Sequence, residues 1–128
     1  MARSQIAPVD MNIEELRDYC LSKRGTDEGL PFGPDVLVIK VMNKMFALIS
    51  LKASPTTINL KCDLEKSITL REQYPAVQPG YHMNKQHWNT ITSDGSLSND
   101  LLRELMDHSY DLIVSSLKKA DQEKLKNL

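Results

Sequence analysis

Two apolar runs, VLVIKVM over residues 36–42 and MFALISL over residues 45–51, stand on either side of Asn43-Lys44. Runs this short and this rich in Val, Ile and Leu suit strands, and Asn accepts the positive φ that a tight hairpin turn requires. The pattern predicts a β-hairpin that turns at Asn43-Lys44. A hairpin this apolar must bury at least one face against another layer. The chain continues with a third strand, because over residues 57–62 Ile58, Leu60 and Cys62 alternate with Thr57, Asn59 and Lys61. That alternation gives one dry face and one wet face.

The covering layer is expected to be helical. Asn12 followed by Glu15 is a capping-box pattern, and Ile13, Leu16, Tyr19 and Cys20 then recur at helical spacing. Lys23, Arg24 and Gly25 suit the close of that helix, with cations at its negative end and Gly in a left-handed position. Gly29, Pro31, Gly33 and Pro34 break regular structure, leaving a loop in which Leu30 and Phe32 are expected to anchor onto the core. Asp63 caps a second helix running to about Tyr74, with Leu64, Ile68 and Leu70 as its apolar residues and Pro75 as its stop. Trp88–Thr92 reads as a further strand and Asp94-Gly95 as a turn. Ser98 caps a long helix whose Leu102, Leu105, Met106, Ser109, Tyr110, Ile113 and Leu117 form one stripe. Residues 118–128 form a charged C-terminal tail with a further short helical piece, and residues 1–10 a flexible arm.

The order is therefore α-β-β-β-α-β-β-α, which predicts an α+β two-layer sandwich, an antiparallel sheet with helices on one face. With 128 residues this is a single domain over 1–128. No apolar run reaches the length of a membrane span and no secretory leader is visible, so a cytoplasmic protein without membrane association is expected. Cys20 and Cys62 lie in regular elements of a chain large enough to hold without staples, and are expected as free, buried thiols. Sixteen Lys and Arg against seventeen Asp and Glu give a net charge of -1. Binding of a polyanion would therefore need a local patch.

The candidate patch is PAVQPGYHMNKQHWNTITSD, residues 75–94, which holds two of the three His and the only Trp, with no acid between Glu72 and Asp94. Lys85, His82 and His87 suit phosphates, Asn84 suits a base or backbone contact, and Tyr81 and Trp88 suit stacking on an unpaired base. Lys40, Lys52 and Lys61 would add a basic sheet face. Each has a plainer role: Trp88 and Tyr81 as packing, the two His as loop hydrogen-bonders. The separation of His82 from His87 suits neither one helix face nor one strand face, so no metal is expected. No phosphate-cradling Gly loop, nucleophile elbow or HExxH motif is present. Cys62, on the apolar side of its strand, reads as inert packing. A non-enzymatic protein without cofactor is the expectation.

The segments LPFGPDVLVIKV, KMFALISLK, LREQYPAVQPGYHMNKQHWNTI, DGSLSNDLLREL and HSYDLIVSSL together resemble the MmcQ/YjbR family of small bacterial proteins, over about Met11 to Leu117. The resemblance implies a fold similar to secretion chaperones and to the frataxin-like (CyaY-like) arrangement. It also implies the DNA-binding label commonly attached to that family. Asn43-Lys44 departs from the Gly-Lys of the family pattern, a difference in turn geometry. The alternative function is a protein or peptide interaction module resembling a secretion chaperone. Ser109 and Tyr110 are expected to pack behind the 75–94 stretch, the small Ser admitting a backbone and the Tyr hydroxyl tying a loop carbonyl.

Overall fold

A computed structural model of the chain describes residues 11–80 and 83–128. The expected N-terminal arm, together with Tyr81 and His82, lies outside the described residues. Among the described residues the chain runs α1 (Ile13–Leu21), β1 (Thr26–Gly29), β2 (Val36–Val41), β3 (Lys44–Ser50), β4 (Thr57–Lys61), α2 (Leu64–Gln73), β5 (Val77–Pro79), β6 (Trp88–Thr92), α3 (Asn99–Ser115) and α4 (Lys119–Lys126). The strands form one antiparallel sheet in the order β1-β2-β3-β4-β6-β5. This is the expected α+β architecture with one addition. Strand β1, sequence TDEG, has no apolar alternation to reveal it, because it is a short polar edge strand paired only with β2. The short helical piece expected in the charged tail is α4, and it packs back: Leu125 is buried, and Gln122 Nε2 donates to the carbonyls of Val114 and Leu117 at the end of α3.

The hairpin forms one residue earlier than expected. Val41 pairs with Lys44, leaving Met42 (φ 47°) and Asn43 (φ 70°) as a two-residue loop with positive φ at both positions. That geometry matches the right-handed twist of the strands. Farther along, the pairing skips Phe46, since Ile39 faces Ala47 while Lys40 faces Met45. The bulge lets consecutive Phe46 and Ala47 both join the core beneath the helices, where the Phe46 ring meets the Tyr110 edge at 5.4 Å.

Helices α1 and α3 press on the strands from one side. Leu16 and Cys20 of α1 and Leu102, Leu105, Met106 and Ile113 of α3 share a buried cluster with Leu37, Ile39, Val41, Ile49, Ile58, Leu60 and Ile91. Each fully buried aliphatic or aromatic side chain contributes roughly 1.5–3 kcal/mol. The predicted caps form: Asn12 Oδ1 accepts from Glu15 N at 2.8 Å, Glu15 Oε1 accepts from Asn12 N at 3.1 Å, and Ser98 Oγ accepts from Leu101 N at 3.1 Å. Two expectations fail. Helix α2 turns Ser67 and Leu70 inward and leaves Leu64 and Ile68 exposed, because its inner face is drawn to a polar network. Leu30 and Phe32 do not anchor on the core either; Phe32 is 64% exposed and stands on the other side of the sheet.

Candidate functional site: the open face of the sheet

Register decides what the uncovered face displays, since residues directly opposite in neighbouring strands share a face. Lys40 faces Met45 and Lys61 faces Trp88, so one end of the open side carries Lys40, Met45, Lys61 and Trp88 across four strands. The next row is Val38, Leu48, Asn59, Thr90 and Gln78. Asp27, opposite Lys40 on the edge strand, is the acid of this face. Lys40 and Lys61 form no ion pair among the described residues. Lys52 does not join them: it lies in the loop after β3 and pairs with Asp35 at 3.4 Å.

Beside the lysine row lies an apolar depression of about 470 Å³, lined by Phe32, Val36, Met45, Leu48, Asn59 and Met83. Sequence reading missed it, although a signal was present. VLVIKV and MFALIS are apolar at both alternating sets of positions, where a sheet wet on one side would carry polar residues. Asn59 is the polar member of the lining, and its Oδ1 accepts from Thr90 Oγ1 at 2.5 Å.

Of the predicted residues, Asn84, Lys85 and His87 are exposed on the turn entering β6, and Trp88 is half-buried on the open face. The turn is built locally: the Asn84 carbonyl accepts from His87 N and Trp88 N, and Asn84 Oδ1 from Gln86 N. It is tied to the sheet where Cys62 N donates to His87 O at 2.8 Å. Arg71, which the sequence did not single out, holds it from beneath. Its guanidinium donates to Lys85 O at 2.6 Å, to Trp88 O at 3.4 Å and to Asn89 Oδ1 at 2.8 Å, while Asn89 Nδ2 donates to Ser67 Oγ. The clue was Asn89, a polar residue on the same side of its strand as buried Ile91.

Ser109 and Tyr110 are structural, but not behind this turn. Ser109 bridges β3 and β4, and Tyr110 Oη donates to Arg24 O at 2.6 Å, beside the turn that follows α1. Both thiols are free and buried. Burial pushes Cys20 up to about 12 and raises Cys62 despite a hydrogen bond from Ser67. His108 is held below its usual value, first by burial and then by Lys66, and its Nε2 accepts from Asp63 N at 3.1 Å. Among the described residues no three His, Cys, Asp or Glu side chains gather as ion ligands, and no helix is long and apolar enough to cross a membrane.

The YjbR family model matches residues 21–112. The chain belongs to the YjbR family. It is 42% identical over 96 residues to the uncharacterized protein YbdF of Escherichia coli O157:H7, covering 75% of this chain and 79% of that one. It is 35% identical over 107 residues to the uncharacterized protein YjbR of Escherichia coli K12, covering 84% and 91%. A crystal structure of a Deinococcus radiodurans protein with a DUF419 domain superposes with a TM-score of 0.85 at 36% identity, covering 91% of this chain and 88% of that one. A Pseudomonas syringae protein superposes with a TM-score of 0.70 at 29% identity, covering 80% and 98%.

Proposed function

We propose that this YjbR-family protein is a non-catalytic, cytoplasmic binding module whose open sheet face takes single-stranded nucleic acid, DNA included. The observation that carries this reading is the end of the open face where Lys61 faces Trp88 on paired strands and Lys40 stands on the same face in β2, with Lys85 and His87 exposed on the adjoining turn. A flat face with an aromatic ring and cations suits splayed bases and a phosphate backbone better than the grooves of a duplex. The non-catalytic part rests on the buried thiols with raised pKa values and on His108, whose ring nitrogen is engaged by a backbone amide.

Trp88, the single Trp, is its own reporter. Titration with a ten-residue oligothymidylate is expected to quench its fluorescence, with affinity falling as salt rises. Lys61→Ala is expected to weaken binding and reduce the salt slope by about 0.7–1, the share of one phosphate contact. Absence of salt-dependent binding would overturn the reading. Retention of an apolar peptide whose affinity ignores salt would replace it with the peptide-module alternative.

A further inference from the structure

We infer that the apolar depression on the open face receives one unstacked keto pyrimidine base, thymine or uracil, and that Asn59 selects it through its carbonyl. This rests on the nucleic-acid reading above and adds a base preference to it. Phe32, Val36, Met45, Leu48 and Met83 give the depression apolar walls, which exclude a phosphate and accept a ring. Its volume of about 470 Å³ lies within the range of small-ligand sites, which combine apolar walls with a few placed polar groups. The charge that a phosphate needs stands in the neighbouring row: Lys61 lies two positions along β4 from Asn59, and Lys40 faces Met45.

Asn59 determines which base fits. Its Oδ1 is occupied by the Thr90 hydroxyl at 2.5 Å, and its amide nitrogen has no other partner among the described residues. A donor surrounded by apolar walls matches thymine, which presents the O4 acceptor beside a methyl group. Cytosine carries the N4 amine in place of O4, so it would set donor against donor and leave both without an acceptor.

The test uses the full chain and two ten-residue oligodeoxynucleotides, all thymidine and all deoxycytidine, followed by Trp88 fluorescence and by anisotropy of a 5′ label. The thymidine oligomer is expected to bind about fivefold tighter, the worth of one net hydrogen bond. Asn59→Ala is expected to erase that preference while changing deoxycytidine binding by less than about twofold. Val36→Phe, which narrows the depression without touching Asn59, is expected to lower thymidine binding to the deoxycytidine level; it serves as the test if Asn59→Ala does not fold, as judged by circular dichroism. Equal binding of both oligomers by the unmodified protein overturns the base site but leaves the lysine-row reading intact. A thymidine preference that survives both substitutions does the same. Failure of both oligomers to bind at any salt overturns both readings.

Discussion

Ser109 on α3 donates its hydroxyl to the carbonyl oxygen of Phe46 on β3 at 2.6 Å. The Ser109 hydroxyl oxygen in turn accepts from Lys61 N on β4 at 2.9 Å. The β3–β4 ladder ends at Ala47 and Leu60, and Phe46 is the residue that the β2–β3 register skips. One buried side chain thus supplies a rung where the two backbones part. Buried backbone groups left without partners are costly, which explains a Ser in the most apolar stripe of the chain.

Ser109→Ala is therefore expected to destabilise the fold by about 1–3 kcal/mol, the penalty for orphaning a buried acceptor and donor. Urea unfolding followed by circular dichroism measures it. A loss below about 0.5 kcal/mol would mean that water or strand adjustment replaces the hydroxyl.

Arg71 should matter to the binding turn and to stability together. Arg71→Leu removes the donors to Lys85 O, Trp88 O and buried Asn89 Oδ1, and is expected to cost about 1–3 kcal/mol. Arg71→Lys is expected to rescue only part of this, because an ammonium lacks the planar fork that reaches several acceptors at once. Trp88 emission should shift to the red in Arg71→Leu as the turn loosens. Unchanged emission and stability would show that the turn holds through Asn84 and Cys62 alone.

His108 predicts a pH dependence. Its folded pKa lies below the usual 6.5, with burial as the first cause, Lys66 acting the same way, and Asp63, Asp111 and Glu104 opposing. Between the folded and unfolded values the unfolded chain binds more protons, so stability falls as pH drops below about 6.5 and levels off below the folded value. Protonation also removes the ring acceptor for Asp63 N at the start of α2. His108→Gln, whose carbonyl cannot titrate, should flatten stability between pH 7 and pH 5. An equally steep slope in that variant would assign the dependence to other groups.

Cys20 and Cys62 should resist aromatic disulfide reagents at pH 8 in the native state and react fully in denaturant. Both are buried, and burial raises both thiols. Fast native reaction at Cys62 would indicate that the β4–α2 junction opens readily.

Much of the fold was legible because its signals are local. The Asn12–Glu15 box, the Ser98 cap, the α3 stripe and the Ile58–Leu60 alternation each depend on residues within a turn or two of one another. Strand β1 carried no such signal, and the hairpin turn fell one residue early because Met in a left-handed position gives no compositional hint. The turn holding Lys85, His87 and Trp88 was recognisable from composition, but its support was not: Arg71 and Lys85 O are brought together only by the docking of α2 against the end of β6.

Sequence alone determined that strands and amphipathic helices would build a two-layer α+β domain, because side-chain periodicity reports how many faces an element must bury. Only tertiary structure decided which faces those were. Phe32 and Ile68 are as apolar as any core residue, yet both are exposed, while Lys61 and Trp88 become neighbours, and Lys40 comes to share their face, through strand order and register. Such pairings join residues far apart in the chain, and their free energy depends on the whole sheet forming, so no single segment encodes them.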